Sequence, residues 1–528
     1  MNRRDFLNFL GKGIIVSAIS PIITKANTLK YLNQSEIKGI EPSKLDDVIL
    51  AEGLNYEILI SWKDKINKKE FFGFNNDYIA YLPGDNNNEG YLWVNHEYID
   101  PLFFSNKPNR LKTIDDVQEE MRNVGGSFLK LVKQSTNWKI DLNNKFNHRV
   151  DALDKIDFDN NVSIKNSNTA IGTLANCSGG ITPWRTILTC EENYDMFYGE
   201  RDLKTGKINM PTYELGWTKY FPFPPEHYGW VVEIDPFTKK KRKLVYLGRC
   251  AHECATIKEL PDKRLVVYTG DDMDNGCLYK FVSKLPGDLT NGKLYVASLE
   301  KKKWIEVNIT KHKILQEKFK NQLQVLTYLR HSSKLIGGSE LDRPEDIEID
   351  PLNNNVIIAL TNNYIKKNMH GSILKIIEKD NKHDSLEFNF ETLKSGGVST
   401  GFSCPDNLLF DKAGNLWFTS DISGSKMNKS LEYLPFKNNG LFVLIRRGIQ
   451  AGEIIQVASA PVDAEFTGPC FSADGKTLFL SVQHPGERSS SLNELTSTWP
   501  NKKDGPKSSV IVIQGELIEG ESIYYNEK

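Results

Sequence analysis

The chain has 528 residues, in which 67 Lys and Arg balance 68 Asp and Glu. This length allows two to four ordinary domains or one large all-β domain. The balanced charge argues against a nucleic-acid-binding protein, which usually carries a basic excess. Beyond the N-terminal segment, no apolar stretch has the roughly 18 residues that a membrane-spanning helix needs.

The N-terminal segment has the pattern of an export signal. Two adjacent arginines, Arg3 and Arg4, precede a mostly apolar run over residues 11–23. This order is typical of the twin-arginine route, and an ordinary secretory signal is the alternative. We therefore expect a twin-arginine signal peptide over residues 1–26, recognised by the twin-arginine export machinery. The mature protein would be a single domain over residues 27–528 that is periplasmic or secreted.

The remaining sequence is rich in β-strand patterns, with short apolar runs bounded by Gly, Asn, Asp and Pro. Helical periodicity is limited to residues 115–122 and 314–329, and we expect both segments to be insertions. The polar stretch over residues 139–168 is also expected to be one long insertion.

A recurring unit organises the chain, and its clear form is a strand, a tight D-x-x-G-like turn and a second apolar strand. Clear and weaker copies occur at residues 91–97, 186–192, 264–272, 347–363, 409–421 and 470–484. Their spacing of roughly 60 to 95 residues exceeds the 40 to 50 of a plain propeller blade, which predicts insertions. The pattern favours an all-β fold, a six-bladed β-propeller with long loop insertions. A β-sandwich with additions is the alternative.

Acidic residues collect where these strands begin or end. They include Glu97, Glu191, Glu192, Glu253, Asp271, Asp272, Glu345, Asp346, Asp406 and Asp421. Strand ends of a propeller meet around its central channel, and ionised carboxylates inside a protein are costly unless paired or bound to metal. Several oxygen ligands of this kind suit Ca²⁺. The alternative is that each acid is a solvated loop residue.

Cys177 and Arg343 indicate two further kinds of chemistry. Cys177 precedes Gly179 and Gly180, a pair that permits an unusual backbone path near a ligand. A thiolate suits a transition metal rather than Ca²⁺, so iron or a similar metal beside calcium is indicated; a buried structural cysteine is the alternative. Arg343 is either a counter-ion for nearby acids or a bidentate ligand for a phosphate oxyanion. Metals together with an arginine suit phosphoryl transfer.

The segment over residues 176–193, NCSGGITPWRTILTCEEN, resembles the signature of the PhoX-type alkaline phosphatases. Shorter matches follow in the same order, as AHE, GDD, RPED and PDN at residues 251–253, 270–272, 343–346 and 405–407. The resemblance runs from about residue 95 to residue 484, and a twin-arginine signal also fits this family. Arg185 departs from the pattern, because a small residue is expected there, and this bears on the local shape of the pocket.

The resemblance implies a phosphatase with about two Fe³⁺ and two or three Ca²⁺ ions that hydrolyses small phosphate monoesters outside the cytoplasm. By position, the catalytic residues would be Cys177, as the iron thiolate, and Arg343, which would hold the phosphate. The carboxylate ligands shared between iron and calcium would be Glu192, Glu253, Asp272 and Glu345. On the calcium side the resemblance suggests Asp406 and Glu97.

Two other functions stay open at the level of sequence. A calcium-dependent propeller lactonase would also have an acid-lined site, but it would need neither Cys177 nor Arg343. A non-catalytic propeller would present a binding surface without metals. The phosphatase hypothesis predicts metal-assisted hydrolysis without a serine or histidine nucleophile, in a chain that we expect to be monomeric.

Overall fold

The computed structural model describes residues 36–519. They form six main sheets, and the innermost strands of neighbouring sheets contact each other in a closed ring. The six-bladed β-propeller predicted from the sequence is therefore confirmed. The predicted signal peptide lies outside the described residues. Within residues 36–519, no helix is both long enough and apolar enough to cross a membrane.

Each blade contains four antiparallel strands, and blades 1 to 6 are numbered by the chain order of their innermost strands. The innermost strands are Asn76–Pro83, Asn176–Ile181, Thr256–Glu259, Pro344–Ile349, Pro405–Phe410 and Glu465–Phe471. The second strands are Glu89–His96, Ile187–Glu191, Leu265–Gly270, Val356–Leu360, Leu416–Ser420 and Leu478–Gln483. The third strands are Gly125–Gln134, Val231–Ile234, Leu278–Ser283, Ser372–Glu378, Gly440–Leu444 and Ser509–Gly515. The fourth strands are Asn137–Ile140, Lys241–Leu244, Gly292–Ser298, Phe388–Ser395, Ile454–Ser459 and Leu54–Ser61.

Shorter strands extend four of the blades and form two small pairs outside them. The additional blade strands are His148–Val150 in blade 1, Lys155–Phe158 and Thr169–Ile171 in blade 2, Lys303–Glu306 in blade 3 and Ile49–Leu50 in blade 5. The small pairs are Glu200–Arg201 with Ile208–Asn209, and Asp274–Gly276 with Leu341–Asp342. Two of these strands, His148–Val150 and Lys155–Phe158, lie within residues 139–168 and add edges to blades 1 and 2. The expectation of one long insertion over residues 139–168 was therefore wrong.

The two ends of the described chain close the ring together. Leu54–Ser61, near the N-terminal end, is the outermost strand of blade 6 and pairs with Ser509–Gly515 from the C-terminal end. Ile49–Leu50 adds an edge strand to blade 5. Blade 6 is therefore complete only when both ends of the chain have folded onto it.

Alternate residues of a strand point to opposite faces, so each blade packs against both of its neighbours. In blade 5, Trp417 lies in a buried cluster with Phe466 of blade 6, whereas the next residue, Phe418, lies in a cluster with Ile357 of blade 4. Comparable clusters fill the other spaces between neighbouring blades. This burial on both faces explains why apolar residues predominate in the second strands.

The turns of the repeat unit form as predicted. In blade 5, Gly414 has a φ of 83° and donates its N–H to the carbonyl of Asp411 at 3.0 Å. The Asp411 carboxylate accepts hydrogen bonds from the Asn415 N–H at 2.9 Å and from the Trp417 indole at 3.0 Å. These turns lie at the end of the hairpin opposite the start of the inner strand.

Helices are short and lie between strands or at the described C-terminal end. The α-helices are Ile114–Arg122, Asp195–Tyr198, Lys313–Lys318, Gln322–Thr327, Leu329–Leu335 and Glu516–Glu519. Single 3₁₀ turns cover Pro101–Phe103, Asn109–Leu111, Asp159–Asn161, Trp217–Lys219, Pro225–His227, Val245–Leu247, Ile309–Lys311 and Lys379–Asn381. The helix predicted at residues 115–122 is confirmed. The single helix predicted at residues 314–329 was wrong, because Phe319 is extended and Asn321 caps a new helix through the N–H of Gln324.

Candidate active site

The same irregularity occurs at the start of each inner strand. In every blade the pairing with the second strand shifts by one residue, which is the signature of a β-bulge. The last residues paired before the shift are Asn76, Asn176, His252, Pro344, Pro405 and Thr467. The residues directly after them are Asp77, Cys177, Glu253, Glu345, Asp406 and Gly468. Five of the six blades therefore place a carboxylate or a thiol at one equivalent position.

The ends of the second strands supply a second set of acids. In four blades, an acid directly follows the second-strand residue that pairs with the last inner-strand residue before the bulge. These acids are Glu97 in blade 1, Glu192 in blade 2, Asp272 in blade 3 and Asp421 in blade 5. The repeated hairpin thus explains why acidic residues occur at regular structural positions in a sequence with irregular spacing.

These two sets of residues meet in one cavity of about 280 Å³. All eight residues predicted from the sequence line it: Glu97, Cys177, Glu192, Glu253, Asp272, Arg343, Glu345 and Asp406. The structure therefore brings the whole predicted set together, and the individual roles of these residues as ligands stay predictions. The cavity also contains Asp421, one of the acids noted at strand ends, and residues that the sequence did not indicate, chiefly Asp77, Glu465, His484 and Glu487.

Within the cavity, potential ligand atoms form three overlapping groups whose members lie within 4.8 Å of one another. The groups are Asp77 with Glu97 and Cys177, Cys177 with Glu192 and Glu253, and Glu253 with Glu345 and Asp406. Cys177 joins the first group to the second, and Glu253 joins the second to the third. The arrangement is a row of three adjoining positions, and only the third lacks the thiol.

The Cys177 thiol lies between carboxylates of the two neighbouring blades. Its Sγ atom is 3.3 Å from Asp77 Oδ2 and 3.3 Å from Glu253 Oε1. Burial, followed by the charges of Asp77 and Glu253, raises the pKa of the thiol well above its ordinary value. A bound cation would reverse this effect, because it stabilises the thiolate directly.

Asp77 is the most important residue that the sequence did not reveal. It is 1% exposed, and burial together with the charge of Glu97 raises its pKa to about 8. The side-chain amide of Gln483 donates to Asp77 Oδ2 at 3.1 Å and to Glu97 Oε2 at 3.0 Å, and so holds the two acids side by side. Asp77 lies at the start of an inner strand, in the same place as Asp406, and this equivalence appears once the strands of the two blades are paired.

Four of these acids retain a buried oxygen with no hydrogen-bond partner among the described residues. The atoms are Asp77 Oδ1, Glu192 Oε1, Glu253 Oε2 and Glu345 Oε1, and of these four Glu345 Oε1 has an ion-pair contact, with Arg343. An unpaired buried carboxylate oxygen is costly, and several such oxygens that converge beside a thiol form a suitable donor set for metal ions. The residues of the cavity therefore fit a cluster of cations.

Arg343 provides a fixed cation at the cavity wall. Its Nε and Nη2 atoms donate to the two carboxylate oxygens of Asp272, both at 2.9 Å. Nη2 also lies 2.7 Å from Glu345 Oε1. Nη1 has a longer and weaker contact, at 3.4 Å from Asp421 Oδ2. Because Asp272 and Glu345 hold one edge of the guanidinium, Nη1 is the nitrogen with the weakest protein contact.

His484 forms the second cationic contact in the cavity. Its Nε2 atom lies 3.2 Å from Glu465 Oε1, and its Nδ1 atom lies 2.8 Å from the carbonyl oxygen of Asp463. His484 has a φ of 40° and Asp463 a φ of 61°, conformations that are uncommon outside glycine.

Several acids and one arginine that the sequence brought to attention have structural partners instead. Glu191 forms a buried ion pair with Lys243 at 2.6 Å, and Asp271 pairs with Arg330 at 2.8 Å. Asp346 accepts backbone N–H groups, including that of Leu408 at 2.9 Å. The expectation that Arg185 affects the pocket was wrong: it lies in the turn at the far end of the blade 2 hairpin.

Comparison with known proteins identifies the family of this chain. Residues 35–486 match the family described as "Alkaline phosphatase PhoX", and no curated relative matches the sequence. The structure is similar to that of Pseudomonas fluorescens PhoX in complex with vanadate, a transition state analogue. The two share 26% sequence identity with a TM-score of 0.80, over 93% of this chain and 99% of that chain.

A second solved structure is much less similar. A gluconolactonase from Xanthomonas campestris shares 10% identity with a TM-score of 0.38, over 91% of this chain and 99% of that chain. Similarity at this level carries no functional argument, so the lactonase alternative gains no support. The family match covers most of the 528 residues. The chain therefore belongs to the PhoX family of alkaline phosphatases, enzymes that hydrolyse phosphate monoesters.

Proposed function

We propose that the cavity binds both iron and calcium and that small phosphate monoesters are hydrolysed there. The observation that carries this proposal is the row of three overlapping ligand groups beside Arg343. A thiol shared by two groups favours a transition metal such as Fe³⁺, whereas the all-carboxylate group suits Ca²⁺. From the family resemblance we further propose two Fe³⁺ and two or three Ca²⁺ ions for the cavity as a whole, which is more than the three positions defined by these groups.

The proposed ligands are the members of these three groups together with Asp272, which lines the cavity and is included because of the family resemblance. Cys177 would bind iron, together with Glu192, Glu253 and the newly identified Asp77. The remaining carboxylates would complete the iron and calcium positions: Glu97, Asp272, Glu345 and Asp406. When bound, these ions would act as Lewis acids that neutralise charge on the phosphate during its transfer.

The protein's own contribution is binding and orientation. Arg343 would hold a phosphate oxygen through Nη1, since Asp272 and Glu345 already hold the other side of the guanidinium. The repeated bulges place four of the ligand side chains on inner strands and four directly after a residue paired across the bulge, which keeps their positions precise. Gln483 would keep the Asp77 and Glu97 carboxylates in position without adding charge.

We further propose that the chain is exported by the twin-arginine route and acts as a monomer in the periplasm or outside the cell. The pair Arg3 and Arg4 supports this route. All seven cysteines are free, which suits a protein that folds in a reducing cytoplasm before export. Replacing both arginines with lysine should leave the phosphatase in the cytoplasmic fraction. Unchanged export of that variant would contradict the proposal.

The function is tested by assaying the purified holoenzyme with p-nitrophenyl phosphate and with a gluconolactone. We expect hydrolysis of the phosphate ester and no activity on the lactone. Hydrolysis of the lactone alone would contradict the phosphatase assignment. A bis(p-nitrophenyl) phosphate assay on the same sample tests the preference for monoesters, and a higher kcat/KM for this diester would contradict it.

A further inference from the structure

Two neighbouring loops at the cavity end of blades 4 and 5 expose apolar side chains. They connect the second and third strands of their blades and cover residues 361–371 and 421–439. Leu431 is 82% exposed, the highest value for a large apolar side chain in residues 36–519. Single exposed apolar residues are ordinary, but several on adjoining loops indicate an interaction surface. We call the exposed set the loop patch, and its members are Tyr364, Ile365, Leu431 and Leu434.

The two loops pack against each other beneath the loop patch. The Tyr433 hydroxyl of the blade 5 loop donates to the carbonyl oxygen of Met369 in the blade 4 loop at 2.8 Å. The rings of Tyr433 and Phe436, both buried, lie with their centroids 5.8 and 5.4 Å from that of His370. The loop patch therefore projects from a packed support that both loops share.

The same loops carry an excess of positive charge, although the whole chain has a net charge of −1. Their lysines are Lys366, Lys367, Lys426, Lys429 and Lys437. The acids of these loops are Glu432 and Asp421, and Asp421 lines the cavity. Lys366 pairs with Asp342 at 2.8 Å. Lys367, Lys426 and Lys429 are exposed and form no ion pair with another described residue.

The loop patch borders the mouth of the cavity. Ser423 and Gly424, from the blade 5 loop, line the cavity, and Lys429 Nζ donates to the carbonyl oxygen of Gly424 at 3.1 Å. Lys426 Nζ lies 5.9 Å from the centre of the Tyr364 ring, so apolar and basic side chains are interleaved. A partner bound to this surface would lie beside the opening of the cavity.

We propose that the loop patch docks the protein reversibly on the surface of an anionic lipid bilayer. Its apolar side chains enter the interfacial layer of the bilayer, while the lysines lie at the level of the negatively charged headgroups. A second copy of this chain suits the surface less well, because a two-fold contact would bring the same lysines together. The inference concerns where the protein binds and does not rest on the reaction in the cavity.

Sedimentation of the purified holoenzyme with vesicles tests the proposal. One set of vesicles contains phosphatidylcholine alone, and the other contains phosphatidylcholine and phosphatidylglycerol in equal parts. We expect much stronger binding to the anionic vesicles, and this binding should weaken as NaCl is added, because salt screens exposed charges. Binding to neither set, or equal binding to both, would overturn the proposal.

Two pairs of substitutions separate the apolar and basic contributions. Ile365→Ser with Leu431→Ser should lower the partition coefficient on anionic vesicles by at least about tenfold, given the free energy of burying large aliphatic side chains. Lys367→Glu with Lys426→Glu should lower it by about fivefold or more for each lysine lost. Variants that bind as tightly as the wild type would show that the loop patch is not the docking surface.

The controls lie at the opposite end of the blades. Leu285, 56% exposed, follows the third strand of blade 3, and Lys240 lies in the turn before the fourth strand of blade 2. Leu285→Ser and Lys240→Glu should bind anionic vesicles like the wild type. All of these variants should unfold at the wild-type temperature, since the replaced side chains are exposed.

Hydrogen exchange on the wild type locates the contact without any substitution. Anionic vesicles should slow amide exchange at residues 364–367 and 425–432 and leave the turn of Leu285 unchanged. A protein held only through the apolar run at residues 11–23 would show no such protection, which would overturn the proposal. A dimer in solution that Leu431→Ser dissociates would also overturn it, because a second copy would then cover the loop patch.

Discussion

Cys177 and Glu253 occupy equivalent positions in neighbouring blades, and Cys177 Sγ lies 3.3 Å from Glu253 Oε1. Each residue directly follows the bulge residue of its inner strand. The fold repeat therefore places a soft and a hard ligand side by side. This relationship is the structural basis for proposing two kinds of metal in one cavity.

Cys177→Ser should remove bound iron and phosphatase activity together. Loss of a group that merely supports a ligand costs about 10–100-fold, so loss of the ligand itself should cost more than about 100-fold in activity. Iron content and p-nitrophenyl phosphate hydrolysis are measured on the same sample, with Cys470→Ser as the control thiol outside the cavity. An active, iron-free Cys177→Ser protein would contradict the thiolate assignment. The wild type should also absorb visible light, as expected for a ferric thiolate.

Asp77→Asn separates a metal ligand from an ordinary buried acid. Asp77 is buried with one unpaired oxygen and a raised pKa, so in the absence of a metal the amide should stabilise the protein, because it removes the cost of protonating or burying a carboxylate. With metal bound, the same change should lower metal content and reduce activity by at least about tenfold. The exposed Asp85→Asn, in the turn at the other end of the blade 1 hairpin, serves as the control. Full metal content in Asp77→Asn would contradict its role as a ligand.

Arg343→Lys keeps a positive charge but loses the planar fork that binds Asp272 and leaves Nη1 for phosphate. We expect kcat/KM to fall by roughly 10²-fold or more with metal content preserved. The reason is that the Lys ammonium group is a point charge, which cannot bind Asp272 through two nitrogens and still direct a third nitrogen at phosphate. Arg242→Lys, whose guanidinium pairs with Glu233 away from the cavity, is the matched control. Equal kcat/KM values for Arg343→Lys and wild type would exclude a specific phosphate contact.

Glu226 links the loop between Lys155–Phe158 and Thr169–Ile171 to the small strand Glu200–Arg201, and it should control stability in acid. Its side chain is fully buried beside Lys165 at 3.0 Å and Arg201. Burial alone would raise the pKa of Glu226, but hydrogen bonds from Arg201 and Lys165 lower it to about 2. A carboxyl whose folded pKa lies below its unfolded pKa stabilises the fold above the unfolded value of about 4.5. That contribution, at most about 3 kcal/mol, is lost as the pH falls from 4.5 towards 2.

Thermal unfolding of wild type and Glu226→Gln as a function of pH measures this effect. At pH 7 the variant should unfold at a lower temperature, and the difference should shrink as the pH falls below about 4.5. Loss of metal in acid affects both proteins alike and so cancels in the comparison. A difference that stays constant down to pH 2 would contradict the lowered pKa of Glu226.

The sequence predicted the propeller because the repeated hairpin has a local signature. Turns such as that of Asp411 and Gly414 depend on residues close in the chain, and the buried second strands are continuous apolar runs. The ligand set was accessible for the same reason, since residues such as Asp406 and Glu192 flank those strands. Glu191 forms an ion pair with Lys243, whereas its neighbour Glu192 lines the cavity. This difference depends on contacts across the blade and has no local signal in the sequence.

The errors have equally physical causes. Asp77 was missed because its equivalence to Asp406 appears only when the strands are paired and the bulges are aligned. Residues 314–329 have helical periodicity throughout, yet Phe319 is buried in the core in an extended conformation and Asn321 begins a second helix. In both cases, contacts with distant parts of the chain determine the structure.

The most direct test of a mixed iron and calcium phosphatase site follows metal content and activity through removal and reloading of the metals. Chelator-treated protein is reloaded with Fe³⁺ and Ca²⁺, separately and together, and metal content and p-nitrophenyl phosphate hydrolysis are measured on each sample. We predict that activity is lost with the metals and returns only when both kinds of ion are restored. Full activity in a preparation that contains neither iron nor calcium would contradict the proposed site.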